Sequence, residues 1–225
     1  MTNEHFLPSP NSIIVNEFEN EAIEKDFLGE INHSYAALKK ILPTLPEKLQ
    51  IYFGTNYDYG ETGVTGSALD DDSIKIGINP KVEDRKKQHD EIRSLVFHEG
   101  YHVAQGFHLG NQFSALESAV YEGCATAFER DYAESVPDWA HYQKEGEEKL
   151  RQWAESMKPI TAEQYFEPSG ETWKKWAFYD PETNESWRVY KVGTWIVDDV
   201  MRKNNLTAVD LNSMNASEIL ELWGE

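Results

Sequence analysis

The sequence predicts an α+β fold, mainly helical, with a small N-terminal sheet packed on one central helix. Three observations predict it. Two short early runs, residues 49–54 (LQIYFG) and 73–79 (SIKIGIN), carry the β-branched and aromatic residues that favour strands. From about residue 86 onward, apolar residues recur at helical spacing in several segments. Pro and Gly fall mostly between these segments, where they punctuate the chain.

The elements follow in order. Residues 12–42 read as one helix that closes before Pro43 and Pro46. Residues 49–54 read as a strand, and residues 55–66, rich in Gly, Thr and Tyr, as a loop or hairpin. Residues 73–79 alternate polar and apolar, which suits a half-buried strand closed by Pro80. From 86 to 106, Ile92, Leu95, Val96 and Val103 recur at helical spacing, and Gly106 and Gly110 supply the stop. A second helix is expected over 114–133, with Leu116, Val120, Ala127 and Phe128 facing inward and Pro137 breaking it. A charged helix then runs to about Met157. Residues 159–187 contain Pro159, Pro168, Gly170, Pro181, Trp173, Trp176 and Trp187, and read as a long ordered loop with aromatic packing. Helices over 188–204 and 216–223 close the chain, the last with Asn215 and Glu218 as a capping box. We expect one domain over residues 1–225, with a sheet-bearing part at 12–110 and a helical lobe at 111–225.

Size, charge and cysteine content exclude several classes. A chain of 225 residues with 12% aromatics buries roughly 70% of its surface on folding. Lys and Arg number 21 against 40 Asp and Glu, a net charge of −19. Such a chain repels phosphate backbones and anionic membranes, so no nucleic-acid partner is expected. No apolar run approaches the ~18 residues of a membrane span. Residues 1–10 lack the basic and apolar regions of a secretory leader. The single Cys124 has no internal disulfide partner. These point to a cytoplasmic location.

One motif carries chemistry. His98-Glu99-Gly100-Tyr101-His102 matches HExxH within a helical stretch. Positions i and i+4 share a helix face, so both imidazoles can reach one metal ion, with Glu99 beside a metal-bound water. Neutral imidazole suits zinc, and a carboxylate suits proton transfer from that water. Two histidines and a water leave one protein ligand to find. Glu122 lies 20 positions after His102 on the next expected helix, a distance that a turn between antiparallel helices would close. His108 lies six positions after His102, the ligand spacing of metzincins, although Gly106 falls one place late for that pattern and no Met-turn follows. Glu122 is the stronger candidate. His5, His33, His89 and His141 have no partner pattern. The seven tryptophans read as packing residues rather than a carbohydrate platform.

The combination of HEGYH, Glu122-Gly123-Cys124-Ala125 and Tyr190-Lys-Val-Gly193 over roughly residues 73–204 resembles a bacterial family of predicted zinc-dependent proteases. More broadly it resembles the gluzincins, a zincin-like group with a glutamate as third ligand. The resemblance implies a metallopeptidase with one zinc per chain and a peptide or protein substrate. It implies His98, His102 and Glu122 as ligands, Glu99 as general base and Tyr190 as a transition-state donor. Many gluzincins carry an Asp four residues after the ligand Glu, where it orients a histidine; here Thr126 stands there, and Glu129 is a possible substitute. Gluzincins also bind substrate along a sheet edge, and residues 73–79 are the candidate edge. A zinc hydrolase acting on another bond, or a binding module on the same scaffold, are the alternatives.

Overall fold

A computed structural model of the chain describes residues 4–5, 12–16, 21–55, 63–106, 112–135 and 137–224. The chain divides into two compact units, residues 1–109 with 132–135, and residues 110–131 with 136–225.

The first unit contains β1 (Glu4–His5), β2 (Ser12–Asn16), α1 (Glu21–Ile41), β3 (Gln50–Gly54), β4 (Val64–Asp70), β5 (Ser73–Ile78) and α2 (Arg85–Gln105). Its sheet has the order β1-β2-β3-β5-β4. β2, β3 and β5 run parallel, and β1 and β4 pair antiparallel at the two edges. α2 packs on β4 and β5 and beside α1.

Two expectations need correction here. Residues 12–16 are a strand and not the start of a helix. The β-branched run Ile13-Ile14-Val15 pairs in register with Ile51-Tyr52-Phe53 of β3, and the helix begins only at Glu21. The second correction concerns residues 73–79. β5 is an interior strand paired on both sides, with Ile74, Ile76 and Ile78 buried on one face and Ser73 and Gly77 covered on the other. The described edge beside β5 is β4, so the candidate edge moves there.

α2 starts at Asp84, whose carboxylate accepts the N–H of Lys87 at 3.0 Å. Gln88 donates to the carbonyl of Asn79 at 2.9 Å and ties the first turn to the end of β5. Gly106 ends the helix in the left-handed conformation, φ 76°, as its position predicts. From Val96 to Val103 every residue is buried, so the HExxH turn lies inside the unit.

The second unit contains α3 (Ala115–Tyr132), α4 (Glu147–Met157), α5 (Ala162–Tyr165), α6 (Glu171–Ala177), β6 (Tyr179–Asp180), β7 (Glu185–Ser186), α7 (Arg188–Asn204), α8 (Ala208–Leu211) and α9 (Ala216–Trp223). Leu116, Val120, Ala127 and Phe128 are buried on α3 as expected. Residues 159–187 are not a loop. They hold α5, α6 and the β6–β7 hairpin, elements too short to show periodicity. Thr161 and Gln164 cap α5 reciprocally. Arg188 donates to Asp180 at 2.8 Å and lies 3.9 Å over the Trp176 ring, which ties the hairpin to α7. α8 was not anticipated. α9 carries the expected capping box, with Glu218 N–H on Asn215 at 3.0 Å and Asn215 N–H on Glu218 at 2.8 Å.

α7 is the hub of this unit, packing against α4, α6 and α9. It also meets α3 backbone to backbone. A Cβ added at Gly123 would overlap the backbone of Gly193, and one added at Gly193 would overlap the carbonyl of Ala119. Among the described residues no helix is long and apolar enough to cross a membrane.

Candidate metal centre

His98 and His102 stand one turn apart on α2, both buried, with their Nε2 atoms 3.1 Å apart. The rings meet edge to face at 4.7 Å between centroids. Glu99, between them in sequence, is also buried, and its Oε2 accepts the backbone N–H of Ala68 on β4 at 2.7 Å. That N–H points outward from the sheet. Asn79 donates to the Gly63 carbonyl at 2.7 Å, so Gly63 faces β5 and strand alternation turns Val64, Gly66 and Ala68 the other way. Gly66 makes the close approach of β4 to α2 possible. A Cβ there would lie 3.0 Å from Leu95 Cδ2 and 3.4 Å from Glu99 Cγ. No pattern of side chains in the sequence could reveal the Ala68 amide, since every residue but proline carries one.

Glu122 lies on α3, whose first turn is set by Ser114 and Glu117. The Ser114 N–H and hydroxyl both donate to Glu117 at 2.9 and 2.8 Å. Glu122 is half-exposed within a run of buried neighbours from Ser118 to Glu129. Tyr165 of α5 is buried, and burial first, then the charge of Glu122, hold its phenol above the ordinary value of 10.0. Sequence reasoning missed Tyr165 because it lies in the segment read as a loop.

The ligand atoms of His98, His102 and Glu122 all lie within 4.8 Å of one another, so the three could hold a metal ion. The donor set fits zinc. Two imidazoles and a carboxylate make a known catalytic combination, and tetrahedral bonds of about 2.0–2.1 Å place ligand atoms about 3.3 Å apart, close to the spacing of the two histidine nitrogens. His108 lies outside the described residues. Thr126 is fully buried, and its hydroxyl has no hydrogen-bond partner among the described residues. Glu129 is fully buried on the same helix. Tyr190 is half-buried in the first turn of α7, its carbonyl accepting from Thr194 Oγ1 at 2.8 Å and its ring beside Trp139 and Trp187. Among the other histidines, His33 is exposed, and His89 bonds Asp26 at 3.0 Å.

A family model described as predicted Zn-dependent protease (DUF2268) matches residues 29–221. Among solved structures, an aminopeptidase N family protein from Idiomarina loihiensis is similar at 13% identity, with a TM-score of 0.49. The match covers 99% of this chain and 40% of that one. No curated protein matches. The chain belongs to the family of predicted Zn-dependent proteases.

Proposed function

We propose that the chain is a zinc-dependent metallopeptidase in which His98, His102 and Glu122 hold one zinc ion and Glu99 is the general base. The observation that supports it best is the convergence of these three side chains within 4.8 Å, with Glu99 on the same buried turn as the histidines. Zinc, when bound, supplies a Lewis acid that polarises a peptide carbonyl and acidifies a water.

The chain's own residues do the rest. Glu99, held by the Ala68 amide, takes a proton from the attacking water and passes it to the leaving amine. Its anchoring fixes one carboxylate oxygen on the same turn as the two histidines. Tyr190 donates a hydrogen bond to the developing oxyanion. Glu129 takes the orienting role for which Thr126 has no acidic group. An extended peptide pairs with the outward backbone of β4 around Gly66, which gives affinity without fixing sequence.

Elemental analysis and a peptide digest test this reading. We expect about one zinc per chain in the wild type and a sharp loss in Glu122→Ala. Glu99→Gln should keep its zinc and lose cleavage by ~100-fold or more. Full zinc in Glu122→Ala would move the third ligand elsewhere. Hydrolysis surviving in Glu99→Gln would remove the assigned base. A zinc-loaded protein that cleaves no peptide would favour another bond or a binding role.

A further inference from the structure

We propose that Ser118 and Thr126 are positioning residues for the third metal ligand: their hydroxyls, one helical turn to either side, clasp the carboxylate of Glu122. The proposal rests on the ligand set given above and adds to it the two residues that hold that glutamate.

Ser118, Glu122 and Thr126 recur at i, i+4 and i+8 on α3, so they line one face, with successive Cβ atoms about 5–6 Å apart. Ser118 is 2% exposed and Thr126 0%, and neither hydroxyl has a hydrogen-bond partner among the described residues. Three hydroxyls elsewhere in the helices are used. Ser156 and Thr194 donate to the carbonyls of Gln152 and Tyr190, four residues earlier, each at 2.8 Å. Ser34 donates to the carboxylate of Glu30 at 3.0 Å. That last pair has the order and spacing of Glu122 and Thr126, so the chain already makes on α1 the bond proposed for α3.

Packing alone does not call for these hydroxyls. The buried neighbours Ala119, Val120, Ala125 and Ala127 are apolar, and alanine or valine at 118 and 126 would fill the same space. An unmet buried hydroxyl is unfavourable, whereas an apolar group of the same shape is not. Among the described residues of α3, buried side-chain atoms without a partner occur at these two positions alone, and both flank Glu122. Glu122 is the ligand that needs support. It is half-exposed, and a glutamate brings to a metal several rotatable bonds whose freedom is lost on binding. A carboxylate accepts at two oxygens, so one can meet the metal while the other takes O–H donors. A threonine in a helix has two open rotamers, so one rotation about Cα–Cβ turns its hydroxyl toward the preceding turn.

The donors are also of the right kind. A neutral hydroxyl leaves the negative charge of Glu122 for the cation, which a lysine or arginine in the same place would offset. The task differs from that of Glu129, which orients a histidine in the reading above. The hydroxyls act on the carboxylate ligand and hold the oxygen that the metal does not take.

The test uses zinc alone. Metal-free protein is titrated with zinc against a chromophoric chelator, and melting is followed without metal. Thr126→Val keeps the shape and removes the hydroxyl. Its zinc affinity should fall about tenfold. Its metal-free melting temperature should stay at or above wild type, because an unmet buried hydroxyl is gone. Thr126→Ser returns the hydroxyl and should restore most of the lost affinity. Ser118→Ala gives an independent measure and should also weaken zinc about tenfold. Both residues act through Glu122, so in a Glu122→Ala background neither substitution should lower the remaining affinity further. Wild-type zinc affinity in both Thr126→Val and Ser118→Ala, or equal further losses in the Glu122→Ala background, would overturn the clasp and leave the three ligands standing. No zinc binding by the wild type, or binding that Glu122→Ala leaves unchanged, would overturn the ligand set and the clasp with it.

Discussion

α2 and α3 carry the candidate ligands, yet their units hold them by opposite means. α2 rests on side chains. Opposite Gly100 stand Leu38 and Leu45, and opposite Gly66 of β4 stands Leu95. α3 rests on backbone, since Gly123 and Gly193 let it touch α7 with no side chain between them. A side chain can change rotamer when its neighbour grows, but a carbonyl in a helix cannot move without its helix. The same substitution, glycine to alanine, should therefore have different effects in the two places.

The largest effect is expected at Gly193→Ala. Its methyl group would overlap the Ala119 carbonyl, and α7 would have to leave α3. We expect a loss above ~4 kcal/mol, seen as a failed or non-cooperative melt, although alanine is the better helix former by about 1 kcal/mol. A wild-type melt would break the contrast at its root.

Gly100→Ala should cost less. The added carbon meets a terminal methyl of Leu38, which can turn away, so about 1–3 kcal/mol is expected. Leu38→Ala in the same protein should recover part of that loss in a double-mutant cycle. Additive losses would mean that the contact is not the cause.

Acid should weaken the second unit by a smaller amount. Glu145 accepts from Lys149 at 2.9 Å and Lys191 at 2.6 Å, joining α4, α7 and the turn before α4. Burial pulls its carboxyl upward, but these two bonds and charges outweigh burial and hold it below the ordinary 4.5. Asp180 behaves alike: burial raises it, and the Glu182 N–H, the Thr183 side chain and the Arg188 and Lys175 charges bring it below 3.8. A depressed carboxyl stabilises the fold above its unfolded value and stops doing so as pH falls through its folded value. The melting temperature should thus be flat above about pH 4.5 and fall below it. Lys191→Met should flatten part of that fall, and an unchanged acid slope would dismiss the Glu145 pair as a contributor.

The smallest effect is a gain. Gly29, within α1, has nothing within 4 Å of an added Cβ. Gly29→Ala should raise stability by about 0.5–1 kcal/mol in a denaturant titration, the helix preference unopposed by any neighbour. A loss there would show that crowding is not what separates the glycines.

Much of this was legible from the chain. That His98 and His102 share a face follows from i, i+4 spacing, and the end of α2 at Gly106 and the cap of α9 follow from their residues. Residues 12–16 were misread because the three-residue apolar run Ile13–Val15 suits a strand or a helix turn equally, and only the register with β3 decides. Tyr165 escaped because α5 has four residues, fewer than periodicity needs.

By itself, then, the sequence determined which residues share a turn, where helices stop and which side chains could bind a metal, because these depend on neighbours within a few positions. Tertiary structure alone decided the strand order that makes β4 the edge beside β5, and the bond from Ala68 to Glu99. Those two residues are 31 positions apart, and the donor is a backbone N–H common to nearly every residue. Only the packed sheet and helix, with Gly66 letting them close, select that one.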